Sequence, residues 1–160
     1  MNKKLNKILL LAIISCIFIS DSKAFAAEKS FIETPQNKVE IYGEEENINS
    51  VRSNPLLSAC EIGIGITSNG LSISFDTTAT QRADEIGVKN VVLQEKTWYG
   101  GWKDIQMSNY YTNNSDWYAI DIVYTGATKG TTYRVKCTHY AKFGSTELTL
   151  DNTSSELVYN

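Results

Sequence analysis

A chain of 160 residues with 15 basic and 18 acidic side chains, a formal charge of −3 and one histidine has no electrostatic reason to seek nucleic acid or an anionic membrane surface. Its length fits one domain with its core and not two.

The chain opens with a basic stretch, Asn2-Lys3-Lys4-Leu5-Asn6-Lys7, followed by an apolar run from Ile8 to Ile19 and the small-x-small triplet Ala24-Phe25-Ala26. That order predicts a signal peptide over 1–26, cleaved before Ala27. The run of about a dozen apolar residues is short of the roughly 20 that a membrane span needs. The mature chain is therefore expected to be secreted, with no transmembrane segment, and losing four lysines against one aspartate makes it more acidic still. The alternative is a lipoprotein: Ile13-Ile14-Ser15-Cys16 resembles a lipobox, although the apolar run continues past Cys16.

Residues 27–55 carry Glu28, Glu33, Glu40, Glu44, Glu45 and Glu46 with one short β-like patch, Val39-Glu40-Ile41-Tyr42. So little apolar surface does not offset the entropy of ordering, so this stretch reads as an acidic flexible leader, with an acidic pro-segment as the functional alternative. Once the leader peptide is gone, Cys60 and Cys137 are the remaining cysteines, and in an exported chain they are expected to form a disulfide. It would close a loop of about 78 residues, worth about 4 kcal/mol in the chain-entropy account. Two separate buried thiols are the plainer alternative.

The domain is expected over 56–160. Cys60, Ile62, Ile64 and Ile66 share one face of a first strand; Ser68-Asn69-Gly70 turns, and Leu71 to Phe75 returns. Thr77 to Ala83 reads as a polar connection and Ile86 to Glu95 as a valine-rich third strand. Gly100-Gly101 makes a hairpin tip, with a fourth strand from Trp102 to Tyr111. Thr112 to Asp116 reads as a loop, Tyr118 to Tyr124 as a fifth strand and Gly126 to Gly130 as a turn. The sixth strand is the central one: Tyr133, Val135, Cys137, His139 and Ala141 face one way, Arg134, Lys136, Thr138 and Tyr140 the other. Glu147 to Leu150 with Leu157-Val158-Tyr159 form the last. Seven short strands, turn signals between them and no helical period predict an all-β protein, an antiparallel seven-stranded β-sandwich.

Gly130-Thr131-Thr132-Tyr133-Arg134-Val135 is similar to the start of strand F in immunoglobulin and fibronectin type III domains, which implies that kind of sandwich. Leu93-Gln94, Gly100-Gly101-Trp102, Tyr133-Arg134-Val135 and His139, with Glu147 after them, resemble a family of small exported proteins of unknown function from Gram-positive, mostly clostridial, bacteria. That resemblance implies export and a β fold, and no activity.

No Gly-x-Ser-x-Gly, His-Glu-x-x-His or phosphate-cradling loop is present, so no enzyme and no cofactor are expected. His139 alone, with both cysteines committed, leaves no three-ligand metal geometry without several carboxylates, so His139 is expected to be a hydrogen-bonded core residue. Glu95 and Asp104 could face each other across the third hairpin as a glycosidase-like pair, although acidic residues on neighbouring strands are more often just solvated. The compositional excess is aromatic: Trp98, Tyr99, Trp102, Tyr110, Tyr111, Trp117 and Tyr118 crowd one hairpin and the loop after it. Some must pack the sheet. Trp98, Tyr99 and Trp117, next to turns, are the candidates for exposed rings that stack on cell-wall glycan or anchor a surface protein. The expected function is a non-catalytic binding module at the cell envelope; the alternative is a secreted antibacterial or host-directed effector.

Overall fold

The computed structural model describes residues 30–34, 47–50 and 56–160. The expected signal peptide, Cys16 and most of the leader lie outside the described residues. Among the described residues there is no helix, and nine strands make one antiparallel sheet: β1 (Phe31–Thr34), β2 (Asn47–Ser50), β3 (Leu57–Thr67), β4 (Gly70–Lys96), β5 (Trp102–Gln106), β6 (Tyr110–Tyr124), β7 (Thr131–Phe143), β8 (Thr146–Thr153) and β9 (Leu157–Tyr159).

β4 organises the sheet, because it is long enough to have different neighbours in its two parts. Along Gly70 to Ala79 it lies between β3 and β6. From Glu85 onward β7 replaces β3 on that edge, while β6 and then β5 line the other. The pairing with β6 slips between Thr78 and Ala83, where Thr80, Gln81 and Arg82 are exposed. Extra residues on one strand bend it and increase its twist. The sheet is creased there, and residues from its two parts join one buried cluster: Ile62 and Ile64 of β3 and Ile73 and Phe75 of β4 with Leu93, Tyr133 and Val135. Each fully buried side chain of this kind contributes roughly 1.5–3 kcal/mol. The buried Asn152 side chain reaches from β8 to donate to the carbonyl of Cys60 on β3 at 3.1 Å, which ties the two parts directly.

Alternation does the sorting. Tyr133, Val135, Cys137, His139 and Ala141 are all buried, as the period of β7 predicts. The turn at Ser68-Asn69 falls where turn residues stand in the sequence, whereas the next hairpin turns on Trp98 and Tyr99, with Gly100 and Gly101 following them.

Several expectations are corrected. The count is nine strands among the described residues, not seven. Thr77–Ala83 and Thr112–Asp116, read as a connection and a loop, are extended and run through the crease within β4 and β6. The expected strand from Trp102 to Tyr111 is two, broken over 107–109. The break has a local cause. Asn90 takes a left-handed backbone (φ 53°), which asparagine tolerates, and its N–H is turned to the Asn109 side chain at 3.0 Å. Met107 N–H then donates to the Val91 carbonyl at 3.1 Å, outside the regular ladder. Two pieces of the leader, β1 and β2, add to opposite edges of the first part, pairing with β6 and β3. Phe31 secures β1 by stacking on Tyr124, ring centroids 4.8 Å apart.

Candidate functional site

The turn between β4 and β5 is closed by backbone bonds from Thr97 N–H to the Gly101 carbonyl (2.8 Å) and from Gly100 N–H to the Thr97 carbonyl (3.0 Å). The Thr97 hydroxyl adds a bond to the same Gly101 carbonyl at 3.0 Å. Gly100, at φ 86°, supplies the left-handed residue that this turn requires. On this frame Trp98 is 96% exposed and Tyr99 70% exposed, their rings edge to face with centroids 5.5 Å apart. Two perpendicular aromatic surfaces thus stand at the end of a pinned hairpin.

The structure does not bring Trp117 to them. Trp117 pairs with Thr78 at the crease, with β4 from there to Lys96 in between. It is 45% exposed, and its indole N–H donates to Asp76 at 2.8 Å. The remaining aromatics divide as sheet packing demands. Tyr110 is buried against Phe75, and Tyr118 lies against the core, its hydroxyl pushed up to about 12 by burial and then by Glu33. Trp102 is half-buried under the Arg134 guanidinium, 4.1 Å from its ring centre, with the Lys96 ammonium at 5.4 Å.

His139 is fully buried. Its Nδ1 is 2.7 Å from the Thr77 hydroxyl, which itself donates to the Gly87 carbonyl at 3.3 Å. Burial lowers its pKa to about 4, so the ring is neutral near pH 7. A ring in the core cannot meet a substrate from solvent. Cys60 and Cys137 are free, buried thiols on β3 and β7. Burial, with Asp76 adding, pushes Cys60 up to about 12; burial, then Cys60 and Asp151, pushes Cys137 higher. Asn152, opposite Cys137 in the β7–β8 ladder, is the residue that donates to the Cys60 carbonyl.

Glu95 and Asp104 do not form a pair. Asp104 stands opposite Gln94, and Glu95 opposite Lys103, so the two carboxylates lie on opposite faces of the hairpin. Among the described residues no three His, Cys, Asp or Glu side chains could hold one metal ion, and no helix is long and apolar enough to cross a membrane.

A feature not foreseen from the sequence lies on the outward face of β5, β4, β7 and β8, a groove of about 270 Å³ with Gln94, Asp104, Lys136, Thr138 and Asp151 among its walls. Arg134 Nε donates to Gln94 Oε1 and Gln94 Nε2 to Asp104, both at 2.7 Å; the Thr138 hydroxyl donates to Asp151, also at 2.7 Å. Beyond it, the Tyr140 ring lies under Lys89 and Lys142, and Glu85 accepts from both Lys142 (2.6 Å) and Tyr140 (2.9 Å), which holds its carboxyl below the usual range.

Compared with protein-family models, curated proteins and solved structures, the chain matches none.

Proposed function

We propose that the chain is an exported, non-catalytic binding module of the cell envelope that holds cell-wall glycan through Trp98 and Tyr99. One observation carries this reading: Trp98, the most exposed large apolar side chain among the described residues, is almost wholly in water on a turn closed by three hydrogen bonds. Large exposed aromatics are uncommon, and a ring held in place gives wide contact area at small entropy cost. Export rests on residues 1–26 and on the resemblance to small exported clostridial proteins. The core shared by the two parts of the sheet supports reading them as the layers of a β-sandwich. In an immunoglobulin or fibronectin domain each strand belongs to one layer, whereas here β4 and β6 run through both.

Retention on purified, insoluble cell-wall glycan tests the reading. Wild-type protein is expected to sediment with the glycan, Trp98→Ala to lose retention by about tenfold or more, and Trp117→Ala, remote from the tip, to keep it. Equal retention of wild type and Trp98→Ala overturns the assignment.

The proposal includes a bridge between Cys60 and Cys137, formed in the oxidising exterior. Because burial keeps both thiols protonated in the closed fold, the bridge is expected to form before closure. Refolding the reduced chain with glutathione disulfide, itself reduced to two glutathione thiols as the S–S bond forms, should yield one peptide joining Cys60 to Cys137 on non-reducing mapping. A refolded chain in which both cysteines are still alkylated after denaturation contradicts it.

A further inference from the structure

The geometry points to a second ligand site: the groove on the outward face of β5, β4, β7 and β8 binds a short, uncharged oligosaccharide in an extended conformation. The occupant follows from what the groove refuses. Its floor is two inner strands, β4 between β5 and β7 and β7 between β4 and β8, and at the kink where the β4–β7 ladder is broken the Asn90 N–H is taken by the Asn109 side chain and the Val91 carbonyl by Met107, so no peptide can add there as a strand and side chains must do the holding. Asp104 on β5 and Asp151 on β8 are three strand spacings apart, about 14 Å across the sheet at about 4.8 Å per spacing, and their rows, through Arg134 and Thr138, are offset along β7 by about 13 Å more, too far to share a metal ion. Two carboxylates against the one ammonium of Lys136 disfavour phosphate-rich ligands. Val92 is the one aliphatic wall residue; the other side chains of the wall carry polar groups or, at Cys137, a thiol, so a ligand that offers both CH groups and hydroxyls matches it better than a purely apolar one.

What fits is a ligand with hydroxyls along its length, donating to Asp104 and Asp151 at the ends and accepting from Lys136 between them. Both carboxylates are already aimed: Asp104 is held by Gln94, which Arg134 fixes from its stack on Trp102, and Asp151 is held by Thr138. Each uses one oxygen in these bonds and keeps the other for a sugar hydroxyl. Sites arranged before the ligand arrives lose less to ordering. About 270 Å³ is near the lower end of ligand pockets, which suits sugar rings and not a bulky ligand. The groove shares the β4–β5 hairpin with the aromatic tip and does not depend on Trp98.

Titration of ¹⁵N-labelled protein with the uncharged tetramers of N-acetylglucosamine and of β-linked glucose, followed by amide resonances, decides it. At least one tetramer is expected to shift Asp104, the 136–138 segment and the 151–153 segment saturably. Asp104→Asn/Asp151→Asn, with the rest of its spectrum unchanged, should bind about tenfold or more weakly, the loss expected from a charge-assisted hydrogen bond, while Trp98→Ala keeps the groove shifts. Absence of groove shifts with both tetramers, or unchanged affinity in the double variant, overturns the site. Shifts confined to the 97–101 turn would overturn the groove and leave the aromatic tip standing; shifts confined to the groove would do the reverse.

Discussion

Lowering the pH from above about 6.5 to about 4 is expected to destabilise the fold by on the order of 3 kcal/mol through His139 alone. The ring is buried, its bonded partner Thr77 is neutral, and the neighbouring Cys137 thiol stays protonated, so nothing in the core compensates a proton on the imidazole. The unfolded chain takes up that proton near the ordinary histidine value, whereas the folded chain resists until about pH 4. Between those values the unfolded state binds more protons, so stability is complete above the upper one and falls as the pH drops through the window. Urea unfolding at both ends of the window checks this. His139→Gln, which keeps a polar partner for Thr77 but cannot titrate, should lose less stability on acidification than wild type by about that amount. Parallel pH profiles for the two proteins would show that His139 titrates in the folded state as it does in water.

Gly87→Ala is expected to cost about 3 kcal/mol or to prevent folding, at the upper end of what overpacking does. A Cβ at Gly87 would lie 2.1 Å from the carbonyl oxygen of Tyr110 and 2.6 Å from the Cα of Tyr111, backbone atoms of the paired strand β6. Neither can yield without lifting β6 from β4, which would also carry Tyr110 away from Phe75. Gly65→Ala is the matched control, because its Cβ would meet the Ser72 Cβ at 3.9 Å, an ordinary contact. Thermal unfolding of the two variants should separate them widely; similar losses would mean that β6 does not pass Gly87 so closely.

The parts of this fold that were legible in the sequence are those where one strand has one covered face. β7 is the clearest case: its odd-numbered residues from Tyr133 to Ala141 are apolar or committed to the core, and every one is buried. The crease was not legible, because a strand that bends away from the core there turns Thr80, Gln81 and Arg82 to water and takes on the composition of a loop. The Asn90 kink was hidden for a related reason: asparagine tolerates the left-handed region without announcing it, and the Asn109 side chain that receives the freed N–H stands far along the chain. Trp98 and Tyr99 could be named as exposed from the turn beside them. Trp117 shares that signal only because Thr112–Asp116 reads as a loop in the sequence; the segment is extended within β6, and Trp117 pairs with Thr78 at the crease. The groove draws on four strands, and a list of residues in chain order does not show that Asp104, Lys136 and Asp151 face one depression. Parity alone separates Glu95 from Asp104, and parity is known only once Gln94 is seen opposite Asp104.

Tryptophan fluorescence reports most directly on the proposal that the β4–β5 tip carries the ligand. Trp102→Phe/Trp117→Phe leaves Trp98 as the single indole of the three, with a phenyl ring kept under Arg134. Soluble cell-wall glycan fragments are predicted to move its emission to shorter wavelength and to shield it from acrylamide quenching in step with fragment concentration. An emission spectrum and a quenching constant that stay the same at every fragment concentration would contradict the account.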